Sequence, residues 1–261
     1  MISTAENLFE YSKAKLLILF AALLAAASAP AIAGSSHYAD RSEYRAPKAT
    51  HELTIDGVAD EEIWQRAEWH ELTWRWLGPE YTAKDFAGRF KVVWTENKLY
   101  IVGEFTDDIL IDTHRDPLVQ YWDDDCLEIF LDEDFSGGDH QFNHNAFAYH
   151  MSLDNQAIDI GTDKQARNYS HHVTSRWKQQ GDKIIWELAI DIYTDAYEDD
   201  SDTNVPVKLS AGKVMGLMVA YCDNDGSELR ENFIGSELVA EGPKDRGWID
   251  AGLFGSLILV N

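Results

Sequence analysis

The chain has 261 residues and a formal net charge of −24, with 46 Asp and Glu against 22 Lys and Arg. An excess of acid this large argues against nucleic acid or an anionic membrane surface as partner. It leaves a strongly solvated surface or oxygen-rich cation sites as its uses.

Residues 1–33 read as an export signal. Lys13 and Lys15 precede the apolar run Leu16–Ala27, and Ala31-Ile32-Ala33 offers a small-x-small cleavage site before Gly34. The apolar run is too short to span a bilayer, and neither cysteine lies near the cleavage site to carry a lipid. The expectation is an exported protein, periplasmic or extracellular, with no membrane partner. Residues 34–50 are polar and aperiodic and read as a flexible N-terminal extension. Residues 51–261 are enough for one domain with a sizeable core. Within them a short helix is expected at Glu61–Ala67, with Asp60 as N-cap and Ile63, Trp64 and Ala67 on one side.

From there the periodicity is two. Phe90, Val92 and Trp94 alternate with Arg89, Lys91 and Val93, Glu96-Asn97-Lys98 supplies a turn, and Leu99–Phe105 returns as the second arm of a hairpin. Further strands are expected at Cys126–Leu131, Phe147–Leu153, Ile184–Ile190, Val214–Cys222 and Leu257–Val260. In the third of these, Ile184, Trp186, Leu188 and Ile190 share a face and Glu187 points the other way. Acidic or glycine-rich breaks separate the runs, as at Ser136-Gly137-Gly138-Asp139 and Asp223–Gly226. Many short strands with few helices indicate an all-β, single-domain antiparallel β-sandwich. Cys126 and Cys222 both fall in predicted strands. Nothing in the pattern says whether those strands touch, so a free pair and a disulfide both stay open.

The densest chemistry lies in Tyr121–Asp132, where a tryptophan, the run Asp123-Asp124-Asp125 and an alternating apolar strand follow one another. Acids feeding a buried strand are costly unless they serve a metal, a ligand's hydroxyls or solvent at the sheet rim. Trp64, Trp94 and Trp186 fall on apolar faces and read as core, whereas Trp69, Trp74 and Trp76 form a cluster that suits packing beneath an edge strand. No Gly-x-Ser-x-Gly elbow, His-Glu-x-x-His helix or phosphate-binding glycine loop is present.

Five blocks in order resemble the family 9 carbohydrate-binding modules, part of a wider DOMON-like group of sandwiches that bind sugars or haem. They are Ile55-Asp56-Gly57 with Asp60 and Trp64; Val93–Tyr100; Trp122 with Asp125, Glu128 and Ile129–Asp132; Asp139–Asn143 around Gln141-Phe142; and Gly247–Gly255. The resemblance implies a non-catalytic binding module in which Trp122 and Trp248 sandwich a sugar ring. Indole offers a wide, rigid face to the apolar C–H side of a pyranose. It further implies that Glu128 accepts from sugar hydroxyls, with Asn143, Gln141, Asp125 and Arg246 around it. Asn143 stands where the family commonly has an arginine, so Arg246 is expected to supply a guanidinium from another direction. The implied partners are mono- or oligosaccharides and polysaccharide chain ends. Structural calcium is also implied, and Asp132, Asp134 and Asp139, around a glycine turn, are the candidate ligands. The alternative from the wider group is a haem-binding electron-transfer domain, with His150, Met151 and Met218 as candidate axial ligands.

Overall fold

The structure, a computed structural model, describes residues 41–261. The segment read as an export signal lies outside the described residues. The first strands are β1 (Glu43–Pro47), β2 (His70–Glu71), β3 (Trp74–Leu77), β4 (Phe86–Trp94) and β5 (Leu99–Asp107). The middle of the chain supplies β6 (Cys126–Asp132), β7 (Phe147–Ser152), β8 (Ala157–Ile160), β9 (Ala166–Asn168), β10 (Val173–Gln180) and β11 (Lys183–Ile190). The last strands are β12 (Val214–Asp223), β13 (Asn232–Gly235) and β14 (Gly255–Val260). They form two sheets, a five-stranded one in the order β10-β11-β5-β4-β2 and a nine-stranded one built on the path β1-β14-β12-β6-β7-β8-β9. One edge of β12 is shared: its first half pairs with β14 and its second half with β13, which in turn pairs with β3. The result is an all-β sandwich whose pairings are antiparallel except for β1 on β14.

The core between the sheets follows from alternation. Phe90, Val92 and Trp94 of β4 meet Leu127, Ile129 and Leu131 of β6, together with Trp186, Leu188 and Ile190 of β11. Leu127, Ile129 and Leu131 point inward, so Cys126, Glu128 and Phe130 occupy the outer face of β6. That face is also covered: every residue of β6 is buried. Trp76 and Phe233 on β3 and β13, and the segment Ala251–Phe254, pack over it as a second apolar cluster. The outer face of the smaller sheet is covered in turn by Trp64 and Ala67 against Val93, Tyr100 and Val102.

Two expectations are corrected here, and a third is borne out and extended. The stretch read as a flexible extension contains β1, whose Tyr44 and Ala46 are buried in the core; five residues were too few for a visible period. The predicted helix is a single 3₁₀ turn over Glu62–Gln65, preceded by Glu61 without a side-chain cap. Glu187 does point away from the core face, but into protein rather than solvent. Its Oε2 accepts from the backbone N–H groups of Asp56 (3.0 Å), Gly57 (2.7 Å) and Val58 (3.3 Å). Gly57 has φ +79°, and a Cβ there would lie 2.9 Å from the Lys178 nitrogen. The Ile55-Asp56-Gly57 block is therefore a turn clamped onto β11.

Candidate functional site

Tyr121–Asp125 is a turn entering β6, and its three aspartates hold loops in place. Asp124 accepts from the backbone N–H of Thr113 (3.0 Å) and His114 (2.9 Å) and from the Thr113 hydroxyl (2.7 Å). Asp125 is buried and accepts from the N–H of Asn224 (2.7 Å) and of Ile111. Asp123 accepts from the Arg230 N–H at 3.3 Å, and its carbonyl accepts from the Asn224 side chain at 2.6 Å. The acidic run thus fixes the segment after β12 against the entrance to β6, which sets Arg230 beside Glu128. With its acids turned inward, the turn leaves the Trp122 side chain 41% exposed.

Trp248 lies on a separate 3₁₀ turn, Arg246–Trp248. The Gly137–His140 stretch straps that turn down. His140 Nε2 contacts the Gly247 carbonyl at 2.8 Å, its N–H donates to Ile249 O at 2.8 Å, and Ala251 N–H donates to Gly138 O at 2.8 Å. The neighbouring Gly247 is buried, and a Cβ there would come within 2.4 Å of Met218 Cε and 3.2 Å of Phe130 Cε1. A side chain there would have to displace the end of Met218, so glycine suits this close approach of the turn to the sheet.

These two turns flank a cavity of about 280 Å³ on the outer face of the larger sheet. Trp122, Trp248, Tyr121 and Phe233 supply its aromatic lining. Tyr121 sits edge-on to both Trp122 (4.9 Å between centroids) and His150 (4.7 Å). Its polar groups centre on Glu128 of β6, which is 2% exposed. Glu128 Oε1 lies 3.0 Å from His150 Nε2 and 3.4 Å from Arg230 Nη1, and the Cys222 thiol donates to it at 2.9 Å. Burial by itself would raise this carboxyl, but His150, Arg230 and Cys222 together hold it below the usual glutamate range. Arg230 is itself pinned, with its guanidinium 4.0 Å over the Phe233 ring and Nη1 donating to Cys222 Sγ at 3.1 Å. Asp159 of β8 completes this part of the wall. Its oxygens accept from Ala148 N–H and Ile160 N–H, both at 2.7 Å, and burial pushes its carboxyl up to about 7.

Trp122, Trp248 and Glu128, singled out from the sequence, are therefore brought to one cavity. The other four candidates are not among its lining residues. The Asp125 carboxylate is committed to the two loop N–H groups. Asn143 is exposed and closes its own loop by accepting from Asn145 N–H at 2.9 Å. Gln141 lies on that loop, where its N–H donates to Asp139. Arg246 pairs with Asp250 at 3.5 Å. The guanidinium at the site comes from Arg230 instead. It stands in an irregular segment between β12 and β13, where no periodicity marks it. Asp159 was equally hidden, since a polar residue on a strand reads as solvated, and His150 was singled out only as a haem ligand.

The other sequence readings resolve as follows. Asp132 is buried and accepts from the N–H groups of Gly137 (2.7 Å) and Asp134 (3.2 Å), while Asp139 accepts from Gln141 N–H. Among the described residues Asp132 and Asp134 adjoin through their side chains, and the three aspartates are not one converging group of oxygens. Carboxylates that do converge among the described residues are Asp107, Asp223 and Asp225, and Asp85, Asp108 and Asp225. Cys126 and Cys222 face each other across β6 and β12 and are free and buried. Met151 is buried in the core between the sheets, on the face opposite His150, so those two cannot ligate one haem. Trp76 is core, Trp74 is exposed, and Trp69 is covered by Arg89 at 4.2 Å and Lys91 at 4.6 Å.

An aromatic-walled cavity with a buried carboxylate–guanidinium–imidazole floor is the kind of site found in proteins that bind small polar ligands with apolar faces. The chain belongs to the family described as "Carbohydrate family 9 binding domain-like", which it matches over residues 55–261. It is similar in fold to a family 9 carbohydrate-binding module from Caldicellulosiruptor kristjanssonii in complex with cellotriose. That match has 21% identity and a TM-score of 0.63, covering 84% of this chain and 94% of that one. The module from the same organism in complex with glucose matches at 22% identity and a TM-score of 0.60, covering 82% and 95%. A putative carbohydrate-binding protein from Bacteroides uniformis matches at 12% identity and a TM-score of 0.54, covering 84% and 99%. No curated protein sequence is significantly similar to the chain. The family is one of binding modules, and carbohydrate binding is the activity that membership supports.

Proposed function

We propose that this is an exported, non-catalytic carbohydrate-binding protein that holds a sugar ring or the end of an oligosaccharide between Trp122 and Trp248. The observation that carries the reading is that both indoles, on turns 126 residues apart in sequence (248 less 122), line one cavity over Glu128, Arg230 and His150. Stacking on the indoles accounts for affinity and the charged floor for orientation: a carboxylate accepts hydroxyl hydrogens while a guanidinium donates. The cavity is enclosed enough for a terminal unit rather than a flat crystalline face. Glucose and cello-oligosaccharides are the first ligands to try, because the Caldicellulosiruptor modules were captured with glucose and cellotriose.

The test is titration with glucose, cellobiose and cellotriose, read by tryptophan fluorescence and calorimetry, on the parent chain and on Trp122→Ala. Saturable binding that weakens at least tenfold in the variant, with its melting temperature unchanged, supports the reading. Unchanged affinity in Trp122→Ala refutes the slot. A folded parent that binds no member of a broad sugar panel refutes the function.

A further inference from the structure

We propose that the cavity selects a sugar unit carrying a protonated amine, a hexosamine, over a neutral or acidic sugar, because its uncompensated groups are carboxylates. This deepens the carbohydrate-binding reading and rests on it. Three carboxylates line the cavity, Glu128, Asp159 and Asp245, against one guanidinium, Arg230, one imidazole, His150, which is turned to Glu128 at 3.0 Å, and no lysine. That guanidinium is already engaged: it pairs with Glu128 at 3.4 Å, donates to Cys222 and lies flat on Phe233. An acidic sugar entering the cavity would have to take Arg230 from a buried carboxylate that would then lack its partner, which is costly.

The remaining two acids have no such partner. Asp159 is 7% exposed, receives one backbone N–H on each oxygen, and makes no ion pair among the described residues. Carboxylate oxygens each have capacity for a second donor. Asp245 sits three residues before Trp248 at the same cavity, and it too has no ion pair among the described residues, its neighbour Arg246 being turned to Asp250. An ammonium group on a stacked sugar ring would give these carboxylates the cation they lack. Burial already pushes the Asp159 carboxyl up to about 7, so a cation beside it would favour the ionised form. The net charge of −24 draws cationic ligands toward the protein in the same sense.

A charge-assisted hydrogen bond is roughly twice as strong as a neutral one, so a preference of roughly five- to tenfold is expected. The experiment compares glucose, glucosamine, N-acetylglucosamine and glucuronate by calorimetry on the intact chain at pH 6.5, in 20 and 300 mM salt. Glucosamine is expected to bind most tightly. Its advantage over glucose should shrink in high salt and disappear in N-acetylglucosamine, where the amine is neutral, and glucuronate should bind more weakly than glucose. Asp159→Asn or Asp245→Asn should bring the glucosamine-to-glucose ratio toward one. If glucose binds and glucosamine is no tighter, or glucuronate binds as well as glucose, the inference is overturned and the sugar slot stands. A ratio unmoved by both substitutions also overturns it. If none of these sugars nor cellobiose binds, the carbohydrate-binding reading falls with it.

Discussion

Arg230→Ala probes the centre of the site. The substitution deletes the guanidinium beside Glu128, which is 2% exposed and has His150 and Cys222 as its other partners. Removing one member of a buried charged pair costs about 3–5 kcal/mol because the survivor stays buried. His150 remains 3.0 Å from the carboxylate, which argues for the lower end. The lost packing of Arg230 on Phe233 adds to the cost. The expected loss is about 3 kcal/mol, or a fall in melting temperature of about 6–12 °C for a domain of this size. The pH dependence identifies the mechanism. The Glu128 carboxyl is held low in the folded protein, so its contribution is present above the unfolded value and is lost as pH falls through the folded one. Without Arg230 that contribution is reduced, and the gap between parent and variant should therefore be widest near pH 7 and narrow below pH 5. Urea unfolding followed by circular dichroism at pH 4.5, 6 and 7.5 measures it. A loss under about 1 kcal/mol, or a gap that does not narrow in acid, would falsify the assignment of Arg230 as the counter-charge of Glu128.

Other consequences are independent of that pair. Stability should fall as pH rises from about 5 to 9. Burial raises the carboxyls of Asp107 to about 6, Asp159 to about 7, Asp223 to about 8 and Asp125 to about 9. The stability of their protonated forms is complete below the unfolded value near 4 and disappears through that window. Asp223→Asn should flatten the profile, and a melting temperature that climbs across the range would contradict the argument. Gly247→Ala places a methyl against Met218 and Phe130 and should cost about 1–3 kcal/mol. Because it displaces the Trp248 turn, sugar affinity should drop with it, and full-strength binding in a destabilised variant would detach that turn from the site. Glu187→Ala leaves the backbone donors of Asp56 and Gly57 without an acceptor, while Val58 N–H keeps the Asp56 carboxylate at 3.0 Å. A loss of about 2–4 kcal/mol is expected by urea denaturation, and a loss below 1 kcal/mol would mean that solvent reaches the turn.

What could be read in advance followed the range of the interaction. The hairpin β4–β5 was legible because Phe90, Val92 and Trp94 alternate and Glu96-Asn97-Lys98 turns the chain locally. Strands β2, β3, β8, β9 and β13 have four residues or fewer, too short for a period, and they were invisible. Strand β10 was missed because it alternates only at its start, with four of its last five residues, Arg176–Gln180, exposed and the other half-buried. Among the site residues, Trp122 and Trp248 were picked out by the family resemblance, which placed them in two of its blocks. Asp125, Asn143, Gln141 and Arg246 were drawn in by position in a motif; the last three are engaged within their own loops, and Asp125 ties two other loops down.

By itself the sequence determined the strand-rich class of the fold, the inward face of strands such as β4 and β11, and the blocks that carry the family. All of these are set by residues within a few positions of one another, through the period-two geometry of the chain. Parity also put Glu128 on the face away from Leu127 and Ile129. Whether that face met water or protein was decided only in three dimensions. Arg230 reaches Glu128 from 102 positions away, Cys222 from 94, and His150 from the register of β7 against β6. The same glutamate would be an ordinary solvated side chain on an uncovered sheet. Packed loops make it the buried centre of the site, because a carboxylate out of water is tolerable only where other parts of the chain bring it donors.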